Sequence, residues 1–161
     1  MDNYDIIVIG AGPAGYISAI RCAQLGMKTA CVDDRIGKQG EPVLGGTCLN
    51  VGCIPSKSLL ESSALYEKIR DGAAEHGIVT CEVTHDVGAM VANKDRIVQD
   101  LTGGIETLFR SNGVKWLQGR GQLLPGRQFL QPDDLSVWRQ YGDVGEYDGH
   151  SKPACLRVNA G

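Results

Sequence analysis

The sequence is poor in aromatic residues, at 6%, and holds only three histidines. His76, His85 and His150 are scattered through polar surroundings, which excludes a histidine-rich metal centre and reads all three as surface residues. There is no surplus of positive charge: 16 Lys+Arg against 19 Asp+Glu give a formal net charge of −3, which argues against bulk nucleic-acid binding. No apolar run approaches the ~20 residues that cross a membrane. The opening Met1-Asp2-Asn3-Tyr4-Asp5 lacks the basic start of a secretory signal, so a cytoplasmic protein is expected. With 42% hydrophobic and 22% charged residues, disorder is also excluded, and 161 residues suffice for one domain with a real core.

Glycine, by contrast, is abundant. It fills 22 of 161 positions, with no collagen-like period or low-complexity tract. Glycine used in this way marks tight turns and close approach of backbone to a ligand. Of the six cysteines, Cys22 and Cys31 fall within apolar patterns and read as small core residues. Cys81 and Cys155 have no evident partner, whereas Cys48 and Cys53 stand five positions apart in a glycine-rich stretch. Without a secretory signal, catalytic or buried thiols are a better expectation than a disulfide framework.

The coarse order of elements is that of an α/β chain. Residues 5–9 form a short, continuous β-branched run, read as a buried strand. A glycine turn over 10–15 leads into a helix carrying Ile17, Ala19, Ile20, Ala23 and Leu25, stopped by Gly26. Lys28 to Val32 is a second strand, and residues 35–47 are a polar loop. Cys48 to Arg70 reads as helix after an irregular start, and residues 77–84 as a short strand. Val87 to Phe109 is a long amphipathic helix ended by Ser111-Asn112-Gly113, and Val114 to Leu117 another strand. Beyond Pro125 the periodicity dissolves. The expected division is a nucleotide-binding unit over 1–124 and a divergent or truncated tail over 125–161.

Gly10-x-Gly12-x-x-Gly15 lies between the first strand and the first helix. The first glycine permits the turn, the second lets backbone approach a pyrophosphate, and the third lets helix pack on strand. The helix N-terminus adds unpaired N–H groups and partial positive charge. Asp33, 18 residues beyond Gly15 at the end of the second strand, is placed to bind a ribose hydroxyl. Asp34 reads as its solvated neighbour. Strand, helix and acid in register predict a Rossmann-like dinucleotide site, without choosing between NAD and FAD.

Gly45-Gly46-Thr47-Cys48-Leu49-Asn50-Val51-Gly52-Cys53-Ile54-Pro55-Ser56-Lys57 is the most informative stretch. In a regular helix, cysteines five apart rise by ~7.5 Å, beyond the ~4.4–6.8 Å Cα separation of a disulfide. Pairing therefore needs a distorted first turn, for which the glycines supply freedom. The pair reads as a reducible disulfide at a helix N-terminus, where the dipole favours thiolate and Lys57, on the same face, adds charge. Two structural thiols, or half of a zinc site, are the alternatives; no second ligand cluster accompanies them.

Together these two motifs resemble the FAD-dependent pyridine nucleotide–disulfide oxidoreductases, most closely the branch that oxidises dihydrolipoamide. The resemblance rests on Val8-Ile9-Gly10-Ala11-Gly12-Pro13-Ala14-Gly15-Tyr16 and on Gly46 to Lys57, and runs from residue 1 to about 124. It implies a Rossmann-like FAD-binding domain, the first part of a flavoprotein with two dinucleotide-binding domains. Gly10, Gly12, Pro13, Ala14, Gly15, Asp33, Gly46, Thr47, Cys48, Cys53, Lys57 and Gly121 would face FAD, and Gly119-Arg120-Gly121 would approach its adenine. Cys48 would exchange with a dihydrolipoyl group on a carrier domain, and Cys53 would stand beside the flavin. Electrons would then pass through FAD to NAD+. The lipoyl carriers of 2-oxoacid dehydrogenase complexes or of the glycine cleavage system are the implied partners, and full-length members are homodimers. Glutathione- or mercuric-reductase-like activity, or a non-catalytic FAD-binding fragment, are the other readings. A second GxGxxG for NAD and the interface domain with its His–Glu base are not found in these 161 residues, so the isolated chain is expected not to turn over.

Overall fold

The computed structural model describes residues 4–124, 128–130, 136–137 and 154–157, with side chains through Gly121. Strand β1 (Ile6–Ile9) pairs in parallel with β2 (Thr29–Asp33), Ile6 opposite Thr29 and Ile9 opposite Val32. Strand β3 (Lys115–Gln118) lies parallel on the far side of β2, with Cys31 opposite Trp116. Strand β1 and the middle of β2 are apolar because both faces of the sheet are covered there, whereas the edge strand β3 exposes Lys115 and Gln118. Ile6, Val8 and Cys31 join one buried cluster, whereas Ile7, Ala30, Val32 and Leu117 join the other.

Helix α1 (Pro13–Gln24) makes the crossover from β1 to β2 and buries Gly15 and Ala19. Helices α2 (Gly46–Asn50) and α3 (Cys53–Glu67) follow the polar loop; a π turn over Lys68–Gly72 and a 3-10 turn over Ala73–His76 then end the helical stretch. Helix α4 (Val87–Asn112) packs along α3 and α1 and sends Ile105 and Phe109 into the core. Its start is set by Asp86, whose carboxylate accepts from the Ala89 N–H at 3.0 Å, a cap of the kind that satisfies an orphan donor. The parallel strands with crossover helices are the expected Rossmann-like α/β arrangement.

Three expectations need correction. Residues 78–86 form no strand: Val79 is 95% exposed, and none of the described strands pairs with this segment. Alternating β-branched residues do not make a strand without a neighbouring ladder. Helix α1 begins at Pro13, so the second half of the glycine turn is already helical, and Ile17 and Leu25 stand on its exposed side. Finally, the region beyond Pro125 carries short strands whose two to four residues leave no legible period. Strands β4 (Gln122–Leu124), β5 (Gln128–Leu130) and β6 (Ser136–Val137) form an antiparallel sheet, and β7 (Ala154–Arg157) pairs antiparallel with β1. His150 lies outside the described residues.

Strand β7 occupies the second edge of β1, Ile6 opposite Arg157 and Ile9 opposite Ala154. Without it, Ile-Ile-Val-Ile would present an open, apolar ladder to other chains. Ending the chain at Pro153 is therefore expected to shift it to larger species than the full chain forms, as read by light scattering on the eluted peak. An unchanged mass would show that β7 does not shield β1. Apolar surface also remains on the long helices, where Leu60, Leu65, Val91, Leu101 and Leu108 are all substantially exposed. No helix among the described residues is long and apolar enough to cross a membrane.

Candidate functional site

The glycine turn is built at the carboxyl end of β1. Gly10 sits at φ +93°, a conformation that L side chains rarely adopt, and its N–H donates to the Val32 carbonyl at 2.7 Å. A Cβ on Gly15 would stand 1.8 Å from the Gly10 carbonyl oxygen, so the helix rests directly on the turn. A Cβ on Gly12 would meet nothing within 4 Å. That space, at the mouth of an α1 whose N-cap carries no side-chain hydrogen bond, is a cradle open to an anion. Pro13 and Ala14 form the first helical positions.

Asp33 lies half-buried beside this cradle. Its Oδ2 accepts from the Ala11 N–H at 2.6 Å and its Oδ1 from the Arg35 N–H at 2.8 Å. Two backbone donors fix the carboxylate at the turn and leave lone pairs for a hydroxyl. Asp34 is exposed, as read from the sequence. The Gly119 N–H donates to the Asp33 carbonyl at 3.0 Å, which brings the Gly119-Arg120-Gly121 segment alongside the acid.

The cysteine segment rests on the same turn. The Gly45 N–H donates to the Ala11 carbonyl at 2.9 Å, and a Cβ on Gly46, at φ +59°, would fall 2.7 Å from the Gly12 Cα. Asn50, not anticipated as a site residue, clamps this approach: its Nδ2 donates to the carbonyls of Leu44 and Gly46 at 2.9 and 2.8 Å.

Between α2 and α3 the helix breaks, as the spacing of the cysteines requires. The Thr47 carbonyl accepts from the N–H groups of both Val51 and Gly52, at 3.0 and 2.8 Å, and Cys53 then opens α3. The break brings the two cysteines together as free thiols, Cys48 half-buried and Cys53 exposed. The hydrogen bond to Cys53 is the chief reason that the Cys48 thiol holds its proton above the ordinary thiol range; burial adds to this, and the charge of Lys57 opposes it.

The sign of this effect gives a pH prediction. A thiol with a raised pKa keeps its proton over a window in which an ordinary thiol has lost it. Cys53→Ala removes the largest cause, so the pH midpoint for iodoacetamide modification of Cys48 is expected to fall relative to the reduced parent chain. A midpoint that stays or rises would deny the contact. Lys57 is exposed on the first turns of α3, on the side from which its charge reaches Cys48.

Gly10, Gly12, Pro13, Ala14, Gly15, Asp33, Gly46, Thr47, Cys48, Cys53 and Lys57 are therefore gathered around one turn-and-dithiol assembly, with Gly121 two residues beyond the Gly119 contact. Cys22 and Cys31 belong to the helix-facing core, and Cys81 is exposed in the segment before α4. No group of three metal-ligating side chains occurs among the described residues, so half of a zinc site finds no partner ligands there. The sequence also gave no sign of Arg35, whose guanidinium Nη2 donates to Thr47 Oγ1 at 2.8 Å.

Comparison with known proteins matches residues 4–129 to the family described as pyridine nucleotide-disulphide oxidoreductase. The chain is 46% identical over 136 residues to the mitochondrial dihydrolipoyl dehydrogenase 2 of Arabidopsis thaliana, covering 84% of this chain and 24% of that protein. It is 50% identical over 124 residues to a dihydrolipoyl dehydrogenase of Cupriavidus necator, covering 76% of this chain and 26% of that one. A leghemoglobin reductase of Vigna unguiculata is 46% identical over 136 residues, 84% of this chain and 24% of its own length. The chain spans about a quarter of the length of these curated relatives.

Proposed function

Because the chain belongs to the pyridine nucleotide-disulphide oxidoreductase family, which uses flavin and NAD(P), we propose that it is the FAD-binding, dithiol-bearing portion of a dihydrolipoyl dehydrogenase. The observation that carries this reading is the contact of Cys48 and Cys53 at the start of α3, directly above an open glycine cradle.

The cradle fits FAD. Gly10, Gly12 and the first residues of α1 would hold its pyrophosphate, Asp33 its ribose, and Gly121 would lie toward the adenine. Gly46, Thr47, Cys48, Cys53 and Lys57 would lie toward the flavin ring. When bound, FAD supplies the two-electron acceptor from which hydride passes to NAD+.

The chain's own part is thiol–disulfide exchange. A dihydrolipoyl thiolate attacks Cys48 Sγ of the Cys48–Cys53 disulfide, and Cys53 leaves as thiolate at the positive end of α3. The second lipoyl thiolate attacks the lipoyl sulfur of the mixed disulfide and expels Cys48, which takes up a proton and donates toward Cys53. The substrate leaves oxidised to its cyclic disulfide, and the protein is left as the dithiol. The raised affinity of Cys48 for its proton suits that return step.

Lipoyl carrier domains of 2-oxoacid dehydrogenase complexes or of the glycine cleavage system are the proposed partners, and a homodimer the proposed state of the full-length protein. With a single GxGxxG in its 161 residues, this chain alone is proposed to exchange without turning over. Oxidised chain mixed with dihydrolipoamide should release about one lipoamide per chain and form no NADH when NAD+ is added. Absence of stoichiometric lipoamide would refute the exchange reading, and sustained NADH formation would refute the proposed division of labour.

A further inference from the structure

We propose that Arg35 is a positioning residue for the dithiol, setting through Thr47 how readily Cys48 and Cys53 join as a disulfide. The proposal rests on the redox reading of that pair. Arg35 lies two residues past the end of β2 and is held at three points. Its N–H donates to Asp33 Oδ1 at 2.8 Å, its carbonyl accepts from the Val43 N–H at 3.1 Å, and its guanidinium donates to Thr47 Oγ1 at 2.8 Å. The backbone of Arg35 is thus fixed to the acid of the nucleotide cradle, and its side chain reaches across to the redox segment.

Thr47 is the point at which that reach matters. It directly precedes Cys48, and its carbonyl accepts the two N–H groups, Val51 and Gly52, that break the helix and deliver Cys53 to Cys48. Its hydroxyl is held by Arg35. A shift or rotation of Thr47 therefore changes the sulfur–sulfur approach, and a charge-assisted bond on its hydroxyl restrains that shift. Bringing two thiols together in advance raises their effective concentration, and so favours the disulfide.

The cation itself pulls the other way, since positive charge favours thiolate and hence the reduced form. Arg35 lines a groove of about 280 Å³, shared with Lys38, Glu41, Asn50 and Val51, that is open to solvent, so its charge is screened and the positional effect dominates.

The test is equilibration of the full chain in glutathione buffers, where one glutathione disulfide oxidises the dithiol and two glutathione thiols are released. The Cys48–Cys53 disulfide is then counted by alkylation and peptide mass spectrometry. Arg35→Met and Thr47→Val are each expected to move the equilibrium toward the dithiol by about 3- to 10-fold, the scale of one lost solvent-exposed hydrogen bond. The double variant should move no further than either single one. Arg35→Lys, which keeps the charge without the planar fork, should fall between parent and Arg35→Met. Thr47→Val is nearly isosteric, so it carries the test if Arg35→Met does not fold.

Equilibria within twofold of the parent in both single variants would overturn the proposal. So would a shift toward disulfide in Arg35→Met alone, which would assign the residue a purely electrostatic role. A parent chain that forms no Cys48–Cys53 disulfide at any glutathione ratio would instead overturn the redox reading beneath it.

Discussion

Replacing either Cys48 or Cys53 with serine is expected to abolish the dithiol–disulfide couple, with stoichiometric release of lipoamide falling to the background of the uncatalysed mixture. The helix breaks between Asn50 and Cys53 for no other visible purpose than to fold Cys53 back onto Cys48, since five residues of continuous helix would hold the two apart. Among the cysteines whose side chains are described, no other can stand in. Cys31 is buried in β2, Cys22 lies on α1, and Cys81 is exposed in the segment before α4.

The two replacements should nonetheless differ in kind. Cys48→Ser leaves the exposed sulfur at the helix N-terminus, and Cys53→Ser leaves the half-buried one. After reconstitution with FAD and reduction, long-wavelength absorption from a thiolate against the flavin should survive in Cys48→Ser and vanish in Cys53→Ser. Its loss in both, or its survival in Cys53→Ser, would remove Cys53 from the flavin side of the pair.

What the sequence disclosed follows from which requirements are local. Gly10, Gly12 and Gly15 answer to backbone geometry within six residues, and Asp33 to the end of the adjacent parallel strand, so spacing alone places them. The cysteine pair is legible for a similar reason: a regular helix forbids its pairing, and the glycines on either side announce the distortion. Arg35 and Asn50 are a different matter. Both are polar residues in or beside a loop, and their partners, the Thr47 hydroxyl and the Leu44 and Gly46 carbonyls, become partners only once the loop has folded onto the turn.

Lys94 was equally hidden. It occupies a polar position in the amphipathic pattern of α4, yet it is buried there, its ammonium against Asp95, which also accepts from Lys38 at 2.6 Å. A buried lysine is tolerable only when paired, and neither the burial of Lys94 nor the bond that brings Lys38 to Asp95 from 57 residues away leaves a periodic signal. Residues 77–84 show the converse error, in which composition suggests a strand but the topology supplies no neighbour to complete one.

The three glycines of the turn separate folding from binding, and two substitutions are expected to part the effects cleanly. Gly15→Ala places a methyl group 1.8 Å from the Gly10 carbonyl oxygen, a backbone atom that cannot step aside without moving β1 against α1. Overpacking of this kind costs typically ~1–3 kcal/mol and occasionally more, and a backbone clash belongs at the upper end, so a marked fall in urea midpoint is expected even without ligand. Gly12→Ala is the opposite case. Its φ of −67° suits any L residue and the added methyl meets no protein atom, so stability should be unchanged or higher by ~0.4–1 kcal/mol through a less flexible unfolded chain. The methyl would instead stand in the open space that a pyrophosphate needs. FAD affinity, followed by quenching of flavin fluorescence, should therefore fall at least tenfold in a protein that melts no earlier than its parent. Equal affinity in Gly12→Ala would show that the cradle is not where the dinucleotide lies, and undiminished stability in Gly15→Ala would show that helix and strand do not meet as closely as the turn requires.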